Sequence, residues 1–161
     1  MNIFHRTLSI LKLNQENAKV YAHCDVPCGI YDPILAKIAA QTVLKMAVRM
    51  EAADLSGGVT NVAQPNTIAR FIQVKEEHAQ NVKNELNILW SDYFKPEHLE
   101  KYPNLHELFW NANKLAGTNK QGVSSDSARQ LVNSVDEISK IFWATKGIDY
   151  NDSVADTRYG S

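Results

Sequence analysis

DPILAKIAAQTVLKMAVRMEAA, residues 32–53, opens on a helix-start signature and contains no further Gly or Pro. Asp32 can accept hydrogen bonds from the free backbone N–H groups of a first turn. Pro33 fits the first helical position, where the N–H it lacks has no partner to lose. Apolar or small residues recur at Leu35, Ile38, Ala39, Thr42, Met46, Met50 and Ala53. That is helical spacing, and it predicts an amphipathic helix with this stripe turned inward.

Three more segments of the same kind lie downstream. Residues 54–65, with Gly57-Gly58, read as a loop, and Asn66 as the cap of a second helix. Its stripe is Phe71, Val74, His78, Val82, Leu86 and Leu89, over about 25 residues or ~38 Å. Residues 90–102 (WSDYFKPEHLEKY) are rich in aromatics around Pro96 and predict a structured corner with a short helical turn. Pro103 then opens a third helix with Leu105, Leu108, Phe109, Ala112 and Leu115 inside and Gly117 at its end. The polar stretch 117–124 is a loop. Ser124, Ser125 or Asp126 caps a fourth helix that buries Ala128, Leu131, Val135, Ile138 and Phe142, and Gly147 ends it. Residues 148–161 carry Asp149, Asp152, Asp156 and Arg158 with little to bury, so a mobile tail is expected. No segment shows strong strand alternation. The expectation is an all-α, up-and-down four-helix bundle.

Composition narrows the function. The 161 residues are 44% hydrophobic and 22% charged, a balance that suits a single globular domain. Seventeen basic and 18 acidic residues leave a net charge of −1, so no basic excess points to nucleic acid or to an anionic membrane. No apolar run approaches the ~20 residues of a membrane span. The chain has two cysteines, Cys24 and Cys28, too few for a disulfide scaffold. Retained thiols and a leader unlike an export signal favour the cytoplasm.

Upstream of Asp32 the sequence changes character. Residues 1–22 carry Arg6, Lys12 and Lys19 against Glu16, with only short apolar stretches such as Ile3-Phe4 and Ile10-Leu11. That is neither a secretory signal, which needs about 7–15 apolar residues in a row, nor a good core helix. It reads as a frayed arm or as a removable leader ending at Ala22. Residues 23–33 (HCDVPCGIYDP) are the one dense chemical cluster. Pro27 and Gly29 allow a tight loop that returns both thiols to one point. Taken alone, Cys-x3-Cys fits a disulfide, half of a zinc site or a softer metal. A zinc site wants two further ligands at zinc spacing, and His5, His78, His98 and His106 are scattered. If the chain is cut after Ala22, His23 offers a free amine and an imidazole. The Cys24 amide nitrogen lies next in line. Amine, amide and two thiolates make a planar set, with the imidazole as an axial fifth donor, and square-planar N/S coordination points to nickel or copper.

HCDVPCGIYDP resembles the metal hook of the nickel-containing superoxide dismutases. LWSDYFKP (89–96), HLEKYP (98–103), Leu105-His106 and IFWATK (141–146) resemble that family as well, in one register over 23–147. The resemblance implies a four-helix-bundle subunit of a homohexamer, one nickel ion per subunit, and conversion of superoxide to oxygen and hydrogen peroxide. It implies a leader, residues 1–22, removed by a dedicated protease. It implies that His23 binds nickel by amine and imidazole, Cys24 by thiolate and amide nitrogen, and Cys28 by thiolate. It places the Tyr31 phenol at the open face of the metal and Tyr93 in support of that gate. Asp25 is read as a cap on loop N–H groups. Lys95 and Lys101 are either a local attraction for the superoxide anion or ordinary solvated charges. Two positions depart from the family pattern. Where some members have a glutamate and an arginine that tether the axial imidazole, this chain has Ala39 and His78, and neither can form a carboxylate–imidazole–arginine relay. Ala39 fits a core stripe. His78 fits a structural histidine, or a group that orients His23. Competing functions are a metal store without turnover and a thiol–disulfide protein, although the latter normally uses Cys-x2-Cys. A di-iron bundle lacks its Glu-x-x-His pairs.

Overall fold

The computed structural model describes residues 29–53 and 62–160. It divides into two units, Met1–Tyr31 and Asp32–Ser161, the first described only at residues 29–31. The expected leader and the residues His23, Cys24, Asp25 and Cys28 lie outside the described part, as does most of the loop after the first helix.

The second unit is helical throughout its described elements. These are α1 (Ile34–Glu51), α2 (Ala63–Ile88), a π-helical turn (Leu89–Tyr93), α3 (Pro96–Lys101), α4 (Leu105–Gln121), α5 (Ser125–Thr145) and α6 (Ala155–Tyr159). The long helix α1 packs on α2 and α5, α2 on α4, and α4 on α5. Successive long helices are therefore neighbours around a closed ring, which is the expected bundle.

Helix starts obey the capping chemistry. The Asp32 carboxylate accepts the Ile34 N–H at 2.8 Å. Ser124 Oγ accepts the Ser127 N–H at 3.2 Å, and Glu51 at the end of α1 accepts the Ser125 N–H at 2.8 Å. Two of the four orphan donors at the head of α5 are thereby satisfied. The α5 face is as the sequence predicts: Ala128, Leu131, Val135, Ile138 and Phe142 are all fully buried. Burial of each of its large apolar side chains is worth ~1.5–3 kcal/mol.

The α1 face is not. Its buried residues are Ala36, Lys37, Ala39, Ala40, Val43, Leu44 and Ala47, whereas Leu35 and Ile38 are 56% and 41% exposed. Of the predicted stripe only Ala39 is fully inside. A face lined by Ala lets neighbouring backbones approach closely, and ranking by side-chain size selects the wrong side. In α2 the predicted Val82, Leu86 and Leu89 are buried, but Lys75 and Ala79 take the places expected for Val74 and His78, which are half-buried. The helix also begins at Ala63, three residues before Asn66, with Pro65 in its first turn where no N–H is needed.

Helix α4 runs through Gly117 to Gln121 rather than ending at the glycine. Lys75 explains the extension. Its ammonium is buried and donates to the carbonyls of Asn119, Lys120 (3.0 Å) and Gly122 (2.8 Å). These are orphan acceptors at a helix C-terminus, where a cation is also favoured by the helix dipole.

None of the described residues after Gly147 is fully buried, as expected, yet the segment lies against the bundle. Tyr150 stacks on Trp143 with ring centroids 5.9 Å apart, and α6 returns to α1. Gln41 donates to the Ala155 carbonyl at 3.1 Å and Lys45 to the Gly160 carbonyl at 3.1 Å.

Candidate metal centre

Among the described residues no three His, Cys, Asp or Glu side chains are grouped to hold an ion, so the described bundle offers no alternative metal site. Its histidines make local contacts. His78 Nδ1 donates to the Val74 carbonyl one turn back in its own helix, at 2.9 Å. His98 Nδ1 accepts the Lys95 backbone N–H at 3.1 Å, which fixes the head of α3. Burial depresses the His98 pKa, with Glu97 opposing and Lys95 assisting, which favours the neutral ring whose Nδ1 accepts this bond. His106 packs edge-on against Trp90. Ala39 is buried in the core.

The donors expected from the sequence, His23, Cys24 and Cys28, lie outside the described residues; two thiols, an imidazole and backbone nitrogen are ligand types that suit nickel. Gly29, directly after Cys28, has φ +67°. That left-handed backbone favours glycine and turns the chain just past the second thiol.

The structure gathers the two distant blocks that resemble the dismutase family. The π-helical turn, closed by Phe94 N–H donating to Leu89 O at 3.0 Å, carries Tyr93 to the C-terminal end of α5. Tyr93 Oη lies 2.6 Å from Thr145 Oγ1. Thr145 in turn donates to the Phe142 carbonyl at 2.6 Å. The single hydroxyl proton of Thr145 is thereby committed, so Tyr93 is the donor in their bond. The Tyr93 ring stacks on His98 (5.7 Å, 13°) and meets Phe142 at 4.5 Å. Lys146 Nζ lies 5.2 Å from the Tyr93 ring centroid. Thr145 and Lys146 received no role from the sequence, because contacts across some fifty residues leave no local pattern, and neither did His98, five residues from Tyr93. Lys146 is a cation on this cluster, and Lys101 lies over the Tyr102 ring. Tyr31 closes the first unit, immediately before Asp32.

Comparison with known proteins decides the family. The family model for nickel-containing superoxide dismutase matches residues 18–146. The chain belongs to the nickel-containing superoxide dismutase family. It is an enzyme of that activity, EC 1.15.1.1, with nickel as its metal. It is 38% identical over 135 residues to the superoxide dismutase [Ni] of Streptomyces seoulensis, covering 84% of this chain and 96% of that protein. It is also 38% identical over 127 residues to that of Streptomyces coelicolor, covering 79% and 90% respectively. Among solved structures, the native nickel superoxide dismutase superposes with a TM-score of 0.67 at 37% identity, over 77% of this chain and 99% of that one. The form whose nickel ligation corresponds to the oxidised state gives 0.68 at 38% identity, over 78% and 100%.

Proposed function

We propose that this nickel superoxide dismutase is matured by cleavage between Ala22 and His23, and that the new terminus holds the metal. One observation carries the reading: the family match spans the Ala22–His23 junction and both cysteines of the chain, the one stretch with a nickel-type donor set. A peptide nitrogen shares its lone pair with the adjoining carbonyl. An amine does not, so cleavage turns the His23 nitrogen from a bystander into a ligand. His23 then supplies amine and imidazole, Cys24 its amide nitrogen and thiolate, and Cys28 its thiolate. The thiols and the amide must each release a proton to bind, which makes loading pH-dependent. The resulting negative charge favours the higher oxidation state.

Bound nickel supplies the one-electron cycling by which one superoxide is oxidised to oxygen and the next reduced to hydrogen peroxide. Each pair of superoxide ions also consumes two protons. Tyr31, next to the hook in sequence, supplies an O–H that holds the anion or a water at the open side and limits access. Tyr93 supports that gate from the bundle, its own proton engaged with Thr145. Asp25 caps the loop. The maturation protease acts on the precursor, the mature subunit assembles as a homohexamer with one nickel each, and the enzyme works in the cytoplasm.

Protein from nickel-fed cells tests this by intact mass, metal content and electron paramagnetic resonance. The expected product begins at His23, holds one nickel per chain and shows nitrogen coupling to the metal that is lost in His23→Ala. A variant whose Ala22–His23 bond cannot be cleaved should be inactive with nickel present. Full dismutase activity in that variant would overturn the proposal.

A further inference from the structure

The family match ends at residue 146, yet the chain beyond it packs back onto the bundle. We propose that residues 148–160 form a strap that positions the first turns of α1, and through them the stem of the metal hook, with Asp152 acting as the positioning residue through Lys37. The inference rests on the assignment of His23, Cys24 and Cys28 as the nickel ligands.

The strap contacts one face of α1 at regular intervals. Lys37, Gln41 and Lys45 are four residues apart, so they form a single stripe along that helix. Lys37 Nζ bonds Asp136 of α5 and lies 3.1 Å from Asp152 of the strap. Gln41 donates to the Ala155 carbonyl, and Lys45 to the Gly160 carbonyl. The two lysines also lie over strap rings, Lys37 above Tyr150 at 5.2 Å and Lys45 above Tyr159 at 4.7 Å. Arg158 holds Asp152 in a fork, with Nη1 to Oδ2 at 2.8 Å and Nη2 to Oδ1 at 2.9 Å. The carboxylate is thereby aimed before it meets the lysine.

Lys37 is where this matters. It sits in the first turn of α1, where the helix dipole disfavours a cation, and only 3% of it is exposed. An ammonium so placed needs carboxylates around it. Asp136 supplies one from the bundle and Asp152 supplies the other from outside the family domain. Residues 23–31 of the hook precede Asp32-Pro33 and this turn in sequence. A stem anchored on an ordered turn loses less freedom when the metal binds than one anchored on a fraying turn, and so holds the metal longer.

Hydrogen exchange and nickel release, measured together on the full chain matured to begin at His23, test the proposal. In Asp152→Asn, amides at 34–41 should exchange faster in the nickel-free protein. Nickel loss to a chelator should quicken by roughly twofold to thirtyfold, the range of couplings carried through packed elements. Asp152→Glu should restore both in part, and truncation after Gly147 should match Asp152→Asn. Faster exchange with an unchanged nickel release rate would show the strap to be structural only and would overturn the inference. If the parent protein itself takes up no nickel, the ligand assignment fails and this inference with it.

Discussion

Tyr93 and Thr145 illustrate what a single pair of side chains fixes. The Tyr93 hydroxyl donates to Thr145, whose own proton goes to the Phe142 carbonyl, so phenol, hydroxyl and helix end form one directed chain. Tyr93→Phe removes the first link and leaves the second intact. It is expected to cost roughly 0.5–1.5 kcal/mol of stability, the ordinary worth of such a bond. Thr145→Val removes both links and should cost more. Because the two residues share a bond, the double variant should lose less than the two single losses added, and thermal denaturation of all four proteins measures the difference. Additive losses would mean that the pair is not coupled. At this scale legibility was uneven. HCDVPC announces its chemistry because its donors are close together in sequence. Tyr93, Thr145 and Lys146 all lie in resemblance blocks, yet Thr145 and Lys146 carried no role of their own, since their significance lies in contacts made across the bundle.

At the scale of elements, the number and order of the long helices were legible and their rotational phase was not always so. Helix α5 pairs large apolar residues with a strongly polar opposite face, so only one side can be the core. Helix α1 carries Leu35 and Ile38 on one side and a run of alanines on another, and the alanine side is buried because close backbone approach outweighs side-chain size there. Lys75 is the sharper case. A lysine in the middle of an amphipathic helix reads as surface, yet its ammonium is buried on three carbonyls at the end of α4. Burial lowers its pKa, with Glu76 opposing, but the carbonyls still need a donor. Lys75→Met keeps the stem and removes that donor. It should destabilise the protein by about 1–3 kcal/mol, as three acceptors, one of them buried, lose their partner. Hydrogen exchange should show the loss concentrated at 117–124. A Met variant as stable as the parent would mean that water satisfies those carbonyls.

For the whole molecule, the ionic cluster that joins α1, α5 and the C-terminal segment sets how the fold responds to acid. Arg158 foremost, and then Lys37, hold the Asp152 carboxyl at a pKa of about 2 against an ordinary 3.8, with burial pulling the other way. Burial works against the Lys37 ammonium too, but Asp136 and Asp152 outweigh it and raise its pKa above 10.5. Arg158 is raised by Asp152. Linkage sets the signs. A carboxyl depressed on folding contributes stability that is complete above its unfolded value and is lost as pH falls through 3.8 toward 2. A raised lysine contributes stability that is complete below 10.5 and is lost only at higher pH. The cluster is therefore intact from about pH 5 to about pH 10, and its weak side is acid. Asp152→Asn removes the depressed carboxyl, and with it at most about 2 kcal/mol of the stability change between about pH 5 and about pH 2. Urea denaturation over that range should show a shallower pH slope for the variant than for the parent, with the two curves converging at the acid end. Parallel slopes would mean that Asp152 titrates as it does in the unfolded chain, and that the bond to Arg158 does not persist in solution.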